Sequence, residues 1–229
     1  MHCYSVRLAQ SLALVILSAT AGGQDKKAAA TSFPLESTGG LEAVDINPEA
    51  VAYRGRPAIR LLDSSERSKS GGGMAIVKGS DFKDGVIETE IAGMPRAGAA
   101  PDIRGFLGIA FRVQSPEKYE CFYIRATNGR ADDQVRRNHA TQYISAPDYP
   151  WERLRKENPG VYESYVDLEP GAWTKIKIVV SGAKAKLYVN GSDQPTLIVN
   201  DLKLGESRGQ IALWIGVDTE AYFSRITVK

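Results

Sequence analysis

Three features of this 229-residue chain predict an all-β fold, a two-sheet antiparallel sandwich. Its C-terminal quarter alternates polar and apolar residues with the period of half-buried strands. Asn190-Gly191 joins two such runs, the strongest short-range hairpin signal. Elsewhere, short strand-like runs recur between Gly-rich and Pro-rich turns, and sustained helical periodicity is absent.

In chain order, strands are predicted at Ala58–Leu62, Gly73–Val77, Gly85–Ile91, Phe106–Val113 and Tyr119–Ala126. Trp173–Val180 places Ile176, Ile178 and Val180 on one face, and Lys184–Val189 repeats that alternation into the Asn-Gly turn. Gln194–Asn200 supplies a short strand. Gly209–Ile215 points Ile211, Leu213 and Ile215 inward, with Ala212 and Trp214 on the opposite face. Tyr222–Val228 closes the chain. Ile178, Leu187, Ile211 and Leu213 are the expected core.

Residues 1–21 read as a cleavable export signal: Arg7 as a small positive start, Leu8 to Ala19 as a short apolar run, then Ala19-Thr20-Ala21 as a small-x-small cleavage site. The run is too short to span a bilayer, which takes roughly 20 apolar residues. Residues 22–39 are expected to form a flexible lead, with one domain over 40–229. Cleavage removes a single charge from 29 basic and 27 acidic residues, so the balance offers nothing to nucleic acid or a membrane surface. It also leaves one cysteine, Cys121, and no internal disulfide can form. An exported, disulfide-free chain points to a bacterial envelope, secreted or periplasmic.

Residues 127–170 interrupt the rhythm. They contain no clean strand yet hold Tyr143, Tyr149, Trp151, Tyr162 and Tyr165, with Arg130, Arg136, Arg137 and His139. Connections of this length are functional or disordered, and the aromatic content argues for order. A helical turn is expected near Trp151 to Lys156.

Other motifs carry less. Gly205-Glu-Ser207-Arg-Gly209 has the letters of a nucleophile elbow, but a strand follows where a helix is required, so Ser207 reads as a turn residue. Zinc wants several His or Cys ligands, and one histidine, His139, remains after export. Asp132, Asp133, Asn128 and Asn138 offer oxygens, but Ca²⁺ takes roughly six to eight and the spacing is not that of a calcium loop. No metal or other cofactor is expected. Cys121 lies in a strand and reads as a packed thiol.

Trp173-x-Lys-Ile-x-Ile, Leu187-Tyr-Val-Asn-Gly191, Gly209-x-Ile-Ala-Leu213 and Tyr222-Phe-x-x-Ile226 together resemble the concanavalin A-like lectin/glucanase jelly roll. With Phe82-Lys-Asp-Gly-Val-Ile-Glu88 and Gly105-Phe-Leu-Gly-Ile-Ala-Phe-Arg112, the pattern is most similar to the bacterial domains named 3-keto-disaccharide hydrolases. The resemblance implies two curved sheets that meet carbohydrate on the concave face. It does not fix chemistry, because the superfamily mixes lectins, hydrolases and inert modules.

Two sets of residues are candidates for a site. Glu88 and Glu90, at i and i+2 of a strand, share a face about 6–7 Å apart, within the range of a glycosidase carboxyl pair. The laminarinase-type Glu-x-Asp-x-x-Glu run is incomplete here, since Glu88-Thr-Glu-Ile-Ala-Gly lacks the third acid. The second set is Arg112, Arg125, Arg137, His139, Gln142, Trp151 and Trp214. Aromatic faces stack on sugar C–H groups, and guanidinium and amide donors meet hydroxyls. The leading expectation is an exported carbohydrate-binding domain. A glycoside hydrolase acting on a (3-keto-)disaccharide or glucan, or an adhesion module without a small ligand, are the alternatives.

Overall fold

The computed structural model describes residues 1–2, 30–63 and 72–229; nearly all of the expected export signal, and residues 22–29 of the lead, lie outside them. The N-terminal strands are β1 (Thr31–Phe33), β2 (Leu41–Val44), β3 (Ile46–Tyr53), β4 (Arg56–Asp63) and β5 (Gly73–Val77). β6 (Gly85–Pro95), β7 (Phe106–Ser115) and β8 (Lys118–Arg125) follow, then helix α1 (Gln134–Asn138), β9 (Thr141–Ala146), helix α2 (Trp151–Glu157) and β10 (Glu163–Ser164). The C-terminal strands are β11 (Thr174–Ser181), β12 (Lys184–Val189), β13 (Leu197–Val199), β14 (Gln210–Ile215), β15 (Thr219–Phe223) and β16 (Ile226–Val228).

These strands form two antiparallel sheets in a jelly-roll sandwich. The first runs β13-β12-β11-β6-β15-β4-β3, with β16 beside the start of β6 and β1 beyond it. The second runs β10-β9-β8-β7-β14-β5-β2. Alternation dictates what lies between them. Ile59, Leu61, Ile87, Ile91, Ile178 and Leu187 of the first sheet face Leu107, Ile109, Phe111, Phe122, Ile211 and Leu213 of the second, all buried. The four core residues expected from sequence are among them.

Where the fold departs from the sequence reading, the polar groups explain why. Thr31–Phe33 sits in the expected flexible lead but takes its backbone hydrogen bonds from the edge strand β16, a partner no local pattern announces. β3 is the edge of its sheet, which is where Pro48 is tolerated in a strand. The single closing strand is two, β15 and β16. Between them Ser224 donates its amide to Glu90 O at 3.0 Å, so pairing to β6 passes from one strand to the next.

The largest departure is inside 127–170. This segment is not one long loop: β9 pairs with β8 along its length, five of its six residues are buried, and α1, α2 and β10 surround it. Gln142 and Ser145 hide the strand pattern because both are polar and buried.

Candidate functional site

On the outer face of the second sheet, cross-strand register aligns Trp214, Gly108, Tyr123, Gln142 and Glu163 on five adjacent strands. Gly108 is required in that row. A Cβ there would stand 2.1 Å from Phe122 O and 2.7 Å from the Tyr123 Cβ. Across it the Tyr123 and Trp214 rings lie 5.0 Å apart, and Trp214 Nε1 donates to Tyr119 OH at 3.1 Å.

Arg125, two residues past Tyr123 and therefore on the same face, is the hub of a buried polar cluster. Its guanidinium donates to His139 O at 2.8 Å, Tyr123 OH at 3.1 Å and Gln142 Oε1 at 3.1 Å. Gln142 is oriented in turn by donating to Tyr143 O at 2.8 Å and Tyr162 O at 3.1 Å. Burial disfavours the charged guanidinium and lowers the Arg125 pKa, while Tyr123 and Glu163 oppose the shift.

Glu163 is the acidic counterpart. Arg155 grips both its oxygens, at 2.8 and 2.6 Å; Arg125 NH1 lies 3.9 Å away, and His139 Nδ1 rests against Oε2. Burial lowers the His139 pKa, and the pull of Glu163 does not overcome burial together with Arg155 and Arg125. The imidazole is therefore neutral at pH 7. With Nδ1 turned to the carboxylate, Nε2 is left as an acceptor.

Trp151 stands at the rim. It opens α2, and Arg155 falls one turn later on the same side, its guanidinium 4.5 Å from the indole centroid; Arg125 lies 5.9 Å away. Trp151 remains 39% exposed, an unusual state for an indole and the site's largest open apolar surface.

The structure thus gathers Arg125, His139, Gln142 and Trp151, with Trp214 further along the row. Arg137 is peripheral: it donates to Tyr165 OH at 2.9 Å and stacks on that ring. Arg112 requires a correction. Alternation would set it on this face, but β7 carries a bulge there, with Arg112 at φ 51° and the register shifting after Phe111. The side chain turns inward and is fully buried. It donates to the carbonyls of Lys83, Gly205 and Gly182 at 2.8, 2.6 and 2.8 Å and to Asp84 Oδ1 at 3.3 Å, and burial puts it out of a ligand's reach.

Glu88 and Glu90 share a face, as expected, but of the other sheet. They floor a groove of about 1040 Å³ whose lining includes Arg56, Lys175, Lys177 and Tyr188. Each is already ion-paired, Glu88 with Lys229 at 2.5 Å and Glu90 with Arg56 at 2.6 Å.

Sequence reasoning missed Glu163 and Arg155. Glu163 lies in a two-residue strand that no periodicity marks. Arg155 was findable as the i+4 partner of Trp151. Asp133, weighed as an oxygen ligand, instead caps α1 by accepting from Arg136 N at 2.6 Å. Among the described residues no group of three His, Cys, Asp or Glu side chains is placed to hold a metal, and no helix is long and apolar enough to cross a membrane.

Residues 46–229 match the sequence model of the 3-keto-alpha-glucoside-1,2-lyase-like domain. No curated protein matches the chain in sequence. Among solved structures it is similar to the carbohydrate binding module CBM66 from Bacillus subtilis, at 14% identity and a TM-score of 0.57 over 83% of this chain and 96% of that one. A putative glycosyl hydrolase from Parabacteroides distasonis aligns at 10% identity and TM-score 0.53, covering 87% and 98%. The exoplasmic/lumenal domain of VIP36, in a Ca²⁺/Man3GlcNAc-bound form, aligns at 8% identity and TM-score 0.57, covering 86% and 87%. At these identities the likeness is one of fold.

Proposed function

The chain belongs to the 3-keto-alpha-glucoside-1,2-lyase-like domain family, and from that premise we propose that it is an exported protein binding carbohydrate at the Arg125 corner of the second sheet. One observation carries the reading. A buried polar cluster, Arg125 bonded to Gln142 and Arg155 to Glu163, stands beside an exposed Trp151. An indole plate next to oriented polar groups suits a sugar, with an apolar C–H face and a rim of hydroxyls. The carbohydrate-binding and glycosyl-hydrolase descriptions of proteins sharing the fold support it. Export follows from residues 1–21, with removal up to Ala21 and delivery to a bacterial periplasm or medium. A glycan array with wild type and Trp151→Ala tests the binding: signal should appear with the first and fall away with the second. Unchanged signal would place the surface elsewhere.

His139 favours a second reading, that the same corner performs the elimination named by the family. In a 3-keto-glucoside the C2 proton is acidic because it lies next to the carbonyl. A base removing it forms the C1–C2 double bond as the C1–O bond breaks, and the proton taken from C2 passes from the base to the departing oxygen, which leaves as the alcohol. A neutral imidazole with Nε2 free is suited to take that proton. Glu88 and Glu90, each held in an ion pair on the opposite sheet, are less suited to act as acid and base. Incubation with a 3-keto-disaccharide decides: release of the unsaturated keto sugar, abolished in His139→Ala, supports the lyase, and no turnover leaves binding alone.

A further inference from the structure

Four of the five arginines of this corner are partnered unlike most others among the described residues. Elsewhere most guanidinium groups end on carboxylates, Arg112 with its three carbonyls excepted: Arg60 on Glu49 and Glu220, Arg130 on Asp167 and Glu169, Arg153 on Glu157, Arg208 on Asp81. At the corner, Arg155 on Glu163 apart, they end on neutral oxygens. Arg104 donates to Pro101 O at 2.7 Å. Arg136 donates to Asn128 Oδ1 at 3.1 Å and Thr127 Oγ1 at 2.9 Å, and Arg137 to Tyr165 OH at 2.9 Å. Arg125 donates to a carbonyl, a phenol and an amide.

The groups are physically connected. Asn128, 2% exposed, accepts from Arg136 and donates to His139 O, the same carbonyl that accepts from Arg125. Arg104 lies near enough to Arg136 to act on its charge, and Arg155 near enough to Arg125. Glu163 is the carboxylate within hydrogen-bond reach, and Arg155 occupies both its oxygens. Three other acids are close, and one of them, Asp167, is held by Arg130 while acting on Arg137 through space. Asp133 is engaged at the start of α1, and Glu152, exposed at the start of α2, acts on Arg125 through space alone. Five guanidinium groups therefore face four carboxylates, one of them already held by Arg130, and the most buried of the five, Arg125, has no carboxylate closer than 3.9 Å. Buried charge is ordinarily paired, and a guanidinium whose bonds end on neutral oxygens gains most from an oxyanion.

We infer that the saccharide taken at this corner is acidic, bearing a carboxylate or sulfate that the Arg104–Arg125–Arg136 set receives while Trp151 covers its ring. The inference rests on the carbohydrate reading above and names the class of sugar. Titration calorimetry on the mature chain tests it with four probes: a neutral oligosaccharide, its uronic-acid counterpart, its sulfated counterpart, and inorganic sulfate. An acidic saccharide should bind about tenfold or more tightly than the neutral one. That preference should shrink between about 0.05 and 0.5 M salt. Arg104→Gln and Arg136→Gln, both partly exposed, should reduce it with the melting temperature as a control for folding. The preferred acidic probe, uronic or sulfated, identifies the anion. Equal affinity for the neutral sugar overturns the inference and leaves the carbohydrate reading standing. Inorganic sulfate binding as tightly as either acidic saccharide overturns it by showing a plain anion site. No binding of any saccharide overturns both.

Discussion

Arg112 and Arg125 sit on neighbouring strands, both almost fully buried, yet they do opposite jobs. Arg112 is turned inward by the β7 bulge and closes one end of the sandwich, holding the carbonyls of three separate loops beside the buried carboxyl of Glu120, 3.7 Å away. Burial raises the Glu120 pKa, opposed by the Leu204 amide, the Tyr143 hydroxyl and Arg112 itself. Arg125 keeps the outward direction that alternation gives it, and its neighbours are an exposed indole, an imidazole and a carboxylate already gripped by another arginine. A buried arginine is structural when its donors are exhausted by backbone. It is available for recognition when it ends on side chains that a ligand can rearrange.

That contrast can be broken most easily at Arg112. Arg112→Met should cost about 3–5 kcal/mol, because Glu120 loses its cation and three carbonyls lose their donor. Protein that remains folded should bind glycan as wild type does. Urea unfolding with parallel calorimetry measures both, and a loss of affinity with little loss of stability would place Arg112 in the site after all. Arg125→Gln should invert the pattern. Removing the charge-assisted bonds of the hub should weaken glycan binding by about 10–100-fold, the equivalent of 1.5–3 kcal/mol. Trp151→Ala should come next, since a partly exposed aromatic contact is worth about 0.5–1.5 kcal/mol. Its thermal melt should stay near wild type, because Trp151 is 39% exposed and outside the inter-sheet core.

The sheets were legible because strands facing a core on one side must alternate, and the C-terminal half of this chain does so cleanly. The corner was half legible. Arg125, His139, Gln142 and Trp151 could be singled out as donors and aromatics in or beside an over-long connection. Their convergence depends on β9, which sequence could not show. A strand buried on both faces loses its alternation, and Gln142 is tolerated there because its amide is fully hydrogen-bonded. Arg112 was misplaced for the converse reason. A one-residue bulge reverses a side chain without leaving a mark in the pattern of polar and apolar letters.

Acidification should separate the two ends by a smaller margin. The His139 pKa is lowered in the folded chain, so the unfolded chain takes up the proton first as pH falls. Stability from this group is fully present above the ordinary imidazole value of about 6.5 and declines as pH drops below it. A protonated imidazole would add a third cation beside Arg125 and Arg155, so affinity for an acidic glycan should rise over the same window. His139→Gln should flatten both profiles. An unchanged slope in that variant would assign the transition to another group.

The smallest effect is expected on the opposite sheet, where the same residue types are arranged to cancel. Glu88 and Glu90 each face a cation, Lys229 and Arg56, and across the strand pair they stand opposite Lys177 and Lys175. The acids are 38% and 30% exposed and their partners 47% and 48%, so water screens both pairs. Exposed ion pairs of this kind are worth about 0–1 kcal/mol. Glu88→Gln and Glu90→Gln should therefore shift unfolding by less than that and leave glycan affinity at the Arg125 corner unchanged. The groove they floor is large enough to test the alternative directly. If either substitution abolished cleavage of a glycoside, the pair would be catalytic despite its salt bridges. Two faces of one sandwich would then have exchanged the roles assigned to them, with recognition by charge moving to the groove and the buried corner serving only to hold β9 and β10 in place.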